Sequence, residues 1–172
     1  MFSDPQKNIA QFGIGHGMKV ADLGAGSGFY TFEAAKAAGS SGRVYAVEVQ
    51  KDLLEKVKNA AHQMRLSNVE VLWGDIESIG GTKLRDLSVD RVIISNVLFQ
   101  VQHKDNLCLE VKRILKPGGK VLVVDWSEAT PLSPKTIVTQ NSAMMLFEKA
   151  GFAFDSSIKA GDHHYGLIFK KP

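Results

Sequence analysis

Hydrophobic residues along this chain alternate between short continuous runs and longer segments with helical spacing. The short runs lie at 20–23, 43–48, 69–73, 90–95 and 120–125 and contain many β-branched residues. Runs of this length predict strands that are buried on both faces of a sheet. The intervening segments predict helices, and strands that alternate with helices predict an α/β fold with a parallel sheet.

The clearest helix is predicted over 52–66, where Asp52 is expected to cap the first turn. Its apolar side chains recur at helical spacing on one face, which is typical of a helix packed on a core. They are Leu53, Leu54, Val57, Ala60, Ala61 and Met64.

The C-terminal half continues the pattern. Pro117-Gly118-Gly119 is expected to end the helix before the fifth strand. Ser133-Pro134 is expected to open a last helix that runs to about Ala150. The runs at 152–158 and 165–170 are joined by a short connection, which predicts an antiparallel pair.

The first strand ends in a loop with alternating glycines, Asp22-Leu23-Gly24-Ala25-Gly26-Ser27-Gly28. Glycine permits positive φ and close approach of the backbone to a ligand, and a loop between a strand and a helix is the context of a nucleotide-type site. A dinucleotide fingerprint needs a third glycine at i+5, but that position, counted from Gly24, is Phe29. The spacing therefore disfavours a nicotinamide-dependent oxidoreductase and favours a ligand without a diphosphate; a plain structural turn is the alternative.

Acidic residues follow the next two strands. Glu48 ends the run at 43–48, and Gly74-Asp75-Ile76 follows the run at 69–73. A carboxylate at the end of the second strand can accept hydrogen bonds from both ribose hydroxyls of an adenosine. A solvated strand end is the alternative for Glu48, and a turn residue is the alternative for Asp75.

These motifs, in this order, resemble the class I S-adenosylmethionine-dependent methyltransferases, and most of all their ubiquinone/menaquinone and arsenite branch. Ser95-Asn96-Val97-Leu98 and Leu115-Lys116-Pro117-Gly118-Gly119 add to the likeness. The resemblance implies a Rossmann-like, doubly wound seven-stranded sheet of order 3-2-1-4-5-7-6 with strand 7 antiparallel and helices on both faces. The arsenite enzymes' reactive cysteines are missing, because Cys108 is the only cysteine.

The resemblance also implies the cofactor, S-adenosyl-L-methionine, and the residues that bind it. The glycines would allow close approach, Asp22 would support the loop or the cofactor's amino group, and Glu48 would bind the ribose. Asp75 would bind the adenine amino group, Ile76 would pack on the ring, and Ser95 or Asn96 would touch the methionyl part. The full predicted set is Asp22, Gly24, Gly26, Gly28, Tyr30, Glu48, Val49, Gly74, Asp75, Ile76, Ser95 and Asn96, with Tyr30 near the positive sulfur.

The acceptor side is less defined, and no catalytic residue is assigned. The candidates for a base or an acceptor contact are His103, His163, His164 and Tyr165. Trp126, Phe99 and Met144 are candidates for an apolar pocket, with core packing as the alternative. Ser95-Asn96-Val97-Leu98 stands where the family's base- and glutamine-methylating enzymes have Asn/Asp-Pro-Pro-Tyr, which argues against those acceptors. The resemblance to the ubiquinone/menaquinone and arsenite branch implies a small-molecule acceptor.

Composition adds a few limits. The chain has 172 residues and 44% hydrophobic content, which suits one domain over 1–172 with an N-terminal helix or lid in 1–18 and no separate substrate domain. The net charge is +3, and basic and acidic residues are interspersed along the chain. The sequence therefore predicts no basic surface for nucleic-acid binding. No metal site, leader or membrane span is expected, so the predicted location is cytoplasmic, with a homodimer as an open option. RNA or protein methylation, and S-adenosylmethionine binding without methyl transfer, are the alternative functions.

Overall fold

The structure is a computed structural model that describes residues 3–172, so the first two residues of the predicted lid segment lie outside it. Helices and strands alternate along the chain except at two places, where the sixth and seventh elements and the last two elements are consecutive strands. In chain order the elements are α1 (Pro5–Phe12), β1 (Lys19–Leu23), α2 (Phe29–Ala38), β2 (Arg43–Glu48), α3 (Lys51–Gln63), β3 (Val69–Trp73), β4 (Val89–Ser95), α4 (Lys104–Ile114), β5 (Leu115–Trp126), α5 (Gln140–Lys149), β6 (Ala153–Lys159) and β7 (His164–Lys170).

The strands form one seven-stranded sheet of order β3-β2-β1-β4-β5-β7-β6. Neighbouring strands from β3 across to β5 pair in parallel, whereas β7 is antiparallel to both β5 and β6. The predicted fold class is therefore confirmed. Chain order reverses between β1 and β4, and ligands of open α/β sheets bind beyond the carboxyl ends of the strands at such a point.

Both faces of the sheet are covered, which explains the continuous apolar runs in the sequence. Along β5, Val121 and Val123 belong to the core cluster on one face, and Leu122 and Val124 belong to the cluster on the other. Because successive strand residues point to opposite faces, a central strand of this sheet needs apolar residues at nearly every position.

Three predicted helix features are wrong. The helix α3 begins at Lys51, and its N-cap is Gln50, whose side chain makes no capping bond; Asp52 lies in the first turn instead. Met64 follows the end of α3 and is 43% exposed, so it is not part of the core stripe. The last helix begins at Gln140 rather than near Ser133.

Local hydrogen bonds explain the late start of α5. The Thr139 hydroxyl accepts a hydrogen bond from the Ser142 backbone N–H at 3.1 Å, which is an N-cap. Ser133 is instead engaged in a turn, where its hydroxyl accepts from the Thr130 N–H at 2.8 Å. The Ser-Pro dipeptide thus belongs to the loop.

The Pro117-Gly118-Gly119 segment also differs from its prediction. α4 ends at Ile114 and β5 begins at the next residue, so the three residues lie within β5. Gly118 has φ +75° and donates its N–H to the Lys171 carbonyl at 2.8 Å. They therefore shape the start of the strand instead of ending the helix.

The N-terminal helix α1 packs on the core. Asp4 caps it through a hydrogen bond from the Lys7 N–H. Ile9 and Phe12 are 4% and 3% exposed and pack within the core cluster around Val20. Within residues 3–172, no helix combines the length and the apolar character that a membrane crossing requires.

Candidate active site

A crevice of about 960 Å³ opens beyond the carboxyl ends of β1, β2, β3 and β4. It lies at the point where the strand order reverses, as expected for an open α/β sheet. Its lining residues include Ser3, Pro5, Asp22, Gly24, Ala25, Gly26, Tyr30, Glu48, Val49, Leu53, Gly74, Asp75, Ile76, Glu77, Ser95, Asn96, Gln100, Val101, Trp126, Leu132 and His164. Eleven of the twelve predicted cofactor residues are among them, and Gly28 is the exception.

The glycine loop presents bare backbone to this crevice at Gly26. All three glycines have positive φ, which disfavours any side chain. At Gly26 a Cβ would meet no atom closer than 4.0 Å, so the space beside it is open to a ligand. At Gly24 a Cβ would lie 2.7 Å from the Val97 Cγ2, so that glycine serves internal packing as well.

Gly28 lies behind the loop and does not line the crevice. It is the N-cap of α2, with φ +84°, and a Cβ there would lie 2.8 Å from Phe32 and 3.0 Å from Val57. Its glycine requirement therefore comes from the close packing of the first turn of α2. The cofactor role predicted for Gly28 has no support from this position.

Glu48 is 7% exposed and holds the glycine loop directly. Its Oε2 accepts from the Gly26 N–H at 3.1 Å, and its Oε1 accepts from the N–H groups of Val49 and Gln50 at 2.9 and 3.1 Å. A carboxylate has roughly four acceptor positions, so one position, on Oε2, remains for a ligand hydroxyl. Binding both ribose hydroxyls would require one of these N–H groups to be released.

Asp22 is 2% exposed at the end of β1. Its Oδ2 accepts a hydrogen bond from the Thr31 hydroxyl at 2.6 Å, which ties β1 to α2. Burial, opposed by the Thr31 hydrogen bonds and reinforced by the charge of Glu48, raises the pKa of Asp22 to about 6. A buried carboxylate on the crevice wall is a natural partner for a ligand cation.

Asp75 follows β3 in a turn. It accepts hydrogen bonds from the Glu77 N–H at 2.9 Å through Oδ1 and from the Ser78 hydroxyl at 2.8 Å through Oδ2. The turn prediction and the ligand prediction are compatible, because both oxygens keep a free acceptor position. Gly74 approaches the Gly81 carbonyl so closely that a Cβ would lie 2.4 Å from its oxygen.

Ser95 is the last residue of β4 and Asn96 follows it, and both line the crevice. Asn96 has φ +55° and donates its backbone N–H to the Val124 carbonyl at 2.8 Å. Its Oδ1 lies 2.9 Å from His164 Nε2. The His164 ring in turn packs on the Trp126 ring, with centroids 4.4 Å apart.

The other predicted base candidates, His103, His163 and Tyr165, lie outside this crevice. The exposed His103 is the N-cap of α4, and His163 Nδ1 lies 2.6 Å from Glu128 Oε1. The Tyr165 hydroxyl donates to the Val138 carbonyl at 3.0 Å. Of the three apolar candidates, Trp126 lines the crevice, Met144 packs against the core, and Phe99 is not a lining residue.

Asp125 and Cys108 are structural in this arrangement. Asp125 accepts the backbone N–H groups of Leu98 and Trp126 at 3.0 and 2.8 Å. Burial raises the pKa of Cys108 to about 12, so its thiol is an inert apolar group. In the part of the chain that the structure describes, no group of three or more acidic, histidine or cysteine side chains could hold a metal ion.

Several lining residues were not predicted, among them Gln100, Val101, Glu77 and Leu132. Gln100 and Val101 follow Ser95-Asn96-Val97-Leu98, so the position after the fourth strand could have suggested them. Leu132 is 69% exposed in the loop after β5. No sequence signal separates it from other exposed leucines.

The sheet order and the crevice define a Rossmann-like protein with a site for a nucleoside-type ligand. A family profile described as "Methyltransferase domain" matches residues 14–165. The chain belongs to this family, and the resemblance to S-adenosylmethionine-dependent methyltransferases is confirmed.

Individual relatives agree. A ubiquinone/menaquinone biosynthesis C-methyltransferase of Bordetella avium is 33% identical over 127 residues, which are 73% of this chain and 48% of the relative. An arsenite methyltransferase of Halobacterium salinarum is 32% identical over 67% of this chain and 29% of its own length. The structure of an S-adenosylmethionine-dependent methyltransferase from Aquifex aeolicus superposes with a TM-score of 0.90 at 27% identity, covering 99% of this chain and 91% of the other. The chain thus spans about half the length or less of the curated relatives it matches.

Proposed function

We propose that this domain binds S-adenosylmethionine in the crevice and transfers its methyl group to a small-molecule acceptor. The observation that carries the proposal is the charge of the crevice wall. Among the described lining residues, four are carboxylates (Asp22, Glu48, Asp75 and Glu77) and none is lysine or arginine. Such a wall suits a cationic ligand and disfavours anionic phosphates.

The residues fit this cofactor in size and chemistry. The backbone at Gly26 can approach the ligand, and Glu48 has one acceptor position for a ribose hydroxyl. Asp75 and Ile76 would hold the adenine, while Asp22, Ser95 and Asn96 would contact the methionyl part. Tyr30 is 7% exposed and lines the crevice, and an aromatic ring near the sulfonium would attract its positive charge.

When bound, the cofactor supplies an activated methyl group on a sulfonium. The task left to the protein is to hold the acceptor in line with that methyl group and to exclude water. Trp126, Leu132 and Val101 provide an apolar end for such an acceptor. The small-molecule class is supported by this apolar end and by the two curated relatives, which are named for ubiquinone/menaquinone biosynthesis and for arsenite.

Calorimetric titration with S-adenosylmethionine, S-adenosylhomocysteine and NAD tests the site. We expect binding of the first two ligands and none of NAD. Gly26→Val should weaken binding by about 100-fold or more, because the branched side chain would fill the open space and strain a left-handed backbone. Circular dichroism checks that the Gly26→Val variant is folded. Normal binding by the folded variant would contradict the assignment of this site.

Acceptor screening separates the functional alternatives. Formation of S-adenosylhomocysteine with small molecules supports the proposal, whereas binding without turnover for any acceptor favours a cofactor-binding protein. An RNA acceptor would be indicated by binding that weakens steeply with salt. Cytoplasmic location and a homodimer stay predictions.

A further inference from the structure

The N-terminal end of α1 forms part of the crevice wall. Ser3 and Pro5 line the crevice together with the glycine loop. The rest of the helix is anchored elsewhere. Phe12 packs in the core, the Gln11 amide donates to the Lys159 carbonyl at 3.1 Å, and its oxygen accepts from the Lys159 N–H at 3.1 Å. The helix is therefore fixed to the sheet, and residues 3–5 bring its N-terminal end to the crevice.

The Tyr30 hydroxyl holds this end of the chain. It lies 2.5 Å from the Ser3 hydroxyl and accepts a hydrogen bond from the Asn8 amide nitrogen at 2.8 Å. The same amide nitrogen lies 3.1 Å from the Ser3 hydroxyl and 3.2 Å from the Ala160 carbonyl. Among the described residues, the Ser3 side chain forms hydrogen bonds only with Tyr30 and Asn8. These two residues are 7% and 0% exposed, so the cluster is shielded from water.

Tyr30 also belongs to the element that follows the glycine loop. It is the second residue of α2, whose N-cap is Gly28, and it lines the crevice itself. The hydrogen bond to Ser3 therefore connects two parts of the crevice wall that lie 27 residues apart in the chain. A ligand that fills the crevice meets both parts. Holding them in place beforehand reduces the conformational entropy that binding costs.

We propose that Tyr30 is a positioning residue for the cofactor, because its hydroxyl holds residues 3–5 against the crevice as a wall of the site. This role rests on the proposed function, since it concerns the same crevice. The hydroxyl and the ring of Tyr30 have separate tasks: the hydroxyl holds the segment, and the ring contributes to the wall. Because coupling is reciprocal, a bound ligand stabilises the docked segment as much as the docked segment stabilises the ligand.

A double-mutant cycle tests the contact, with S-adenosylhomocysteine as the titrated ligand. Tyr30→Phe removes the hydroxyl and keeps the ring, and Ser3→Ala removes its partner. Each variant should bind about fivefold more weakly than wild type, as the loss of one hydrogen bond predicts. Because the two residues share one contact, the double variant should also lose about fivefold, whereas independent residues would lose about 25-fold.

Matched variants separate positioning from a general loss of structure. Tyr45→Phe makes the same change on β2 outside the crevice, and it should leave the affinity unaltered. Ser3→Thr keeps a hydroxyl, and it should bind as wild type does. Tyr30→Phe leaves the Asn8 amide with the Ser3 and Ala160 oxygens as acceptors, so we expect this variant to fold, and thermal denaturation checks it.

Nuclear magnetic relaxation observes the segment directly. In ¹⁵N-labelled protein loaded with S-adenosylhomocysteine, the heteronuclear NOE values of the Asp4 and Gln6 amides should be lower in Tyr30→Phe than in wild type. The reason is that the segment is held less firmly and moves more on the ps–ns timescale. The same decrease is expected in Ser3→Ala, so a folding failure of one variant leaves the other to decide. Equal values in variant and wild type overturn the positioning role.

Three binding results would also overturn it. They are wild-type affinity in both single variants, a loss in only one of them, and a loss of about 25-fold in the double variant. A loss with Tyr30→Phe alone would mean that the hydroxyl acts on the ligand and not through the segment. Failure of wild-type protein to bind S-adenosylhomocysteine overturns the proposed function instead, so the two failures are distinguishable.

Discussion

Two buried carboxylates, Glu110 and Asp22, have opposite electrostatic environments. Glu110 on α4 is 0% exposed and accepts hydrogen bonds from the Arg113 guanidinium at 2.7 and 2.8 Å. It also accepts from the Thr82 hydroxyl and from the backbone N–H groups of Thr82 and Gly80. Burial opposes ionisation, but these donors lower the pKa of Glu110 to about 2.

Asp22 is buried to a similar degree without a lysine or arginine beside it. Burial raises its pKa to about 6, and the neighbouring Glu48 adds repulsion. The difference shows which carboxylate serves the fold. Glu110 is ionised, and the donors around it balance its charge inside the protein. Asp22 has no lysine or arginine beside it, so a bound cation would supply the missing positive partner. Buried carboxylates with a raised pKa mark candidate functional sites.

Glu110→Gln replaces the ionised carboxylate by a neutral amide among these donors, and it should cause the largest loss of stability. It leaves the Arg113 charge with the exposed Asp86 as its remaining acidic partner, and we expect the free energy of unfolding to fall by about 3 kcal/mol. Urea denaturation measures this, with the exposed Glu55→Gln as control. Because the folded pKa is depressed, the Glu110 contribution is present above about pH 4.5 and is lost as the pH falls towards about 2, so the difference between variant and wild type should shrink there.

Glu48→Ala should affect ligand binding more than folding. The change removes the acceptor for the Gly26 N–H and for a ribose hydroxyl, so S-adenosylmethionine affinity should fall by roughly 1–3 kcal/mol. Calorimetric titration measures the loss. Unchanged affinity would remove Glu48 from the site, and Glu55→Ala should leave the affinity unaltered.

Asp22→Asn should stabilise the protein while weakening the ligand. The folded pKa of Asp22 is raised, so its favourable contribution is complete below about pH 3.8 and is lost as the pH rises through about 6. At about pH 8 the variant should be more stable than wild type by about 1–2 kcal/mol, and the gain should vanish near pH 4.

The same Asp22→Asn protein should bind S-adenosylmethionine several-fold more weakly, because the crevice loses one negative charge. Denaturation across the pH range, paired with calorimetry, measures both effects. A variant that is less stable than wild type at high pH, or that binds the cofactor more tightly, would show that the carboxylate is not the unmatched charge described here.

The strands and the glycine loop could be predicted because their signals are local. Continuous apolar runs follow directly from burial on two faces, and alternating glycines follow from backbone conformation. The first residues of the helices could be predicted less well than the strands. Asp52 and Ser133 both have favourable capping chemistry, yet Gln50 and Thr139 occupy the N-cap positions. In the folded loop the Ser133 hydroxyl is engaged by the Thr130 N–H, and the Thr139 hydroxyl caps α5 instead.

The acceptor side of the crevice could not be predicted from the sequence alone. The residues themselves determined the sheet, the family and most of the residues that line the crevice, because those depend on periodicity and on side-chain chemistry at strand ends. They did not separate His164 from His163 or Gly26 from Gly28. The antiparallel register of β7 against β5 places His164 beside Trp126 and Asn96, and the packing of α2 turns Gly28 away from the crevice. Both outcomes depend on contacts between residues distant in the chain, so only the tertiary structure decides them.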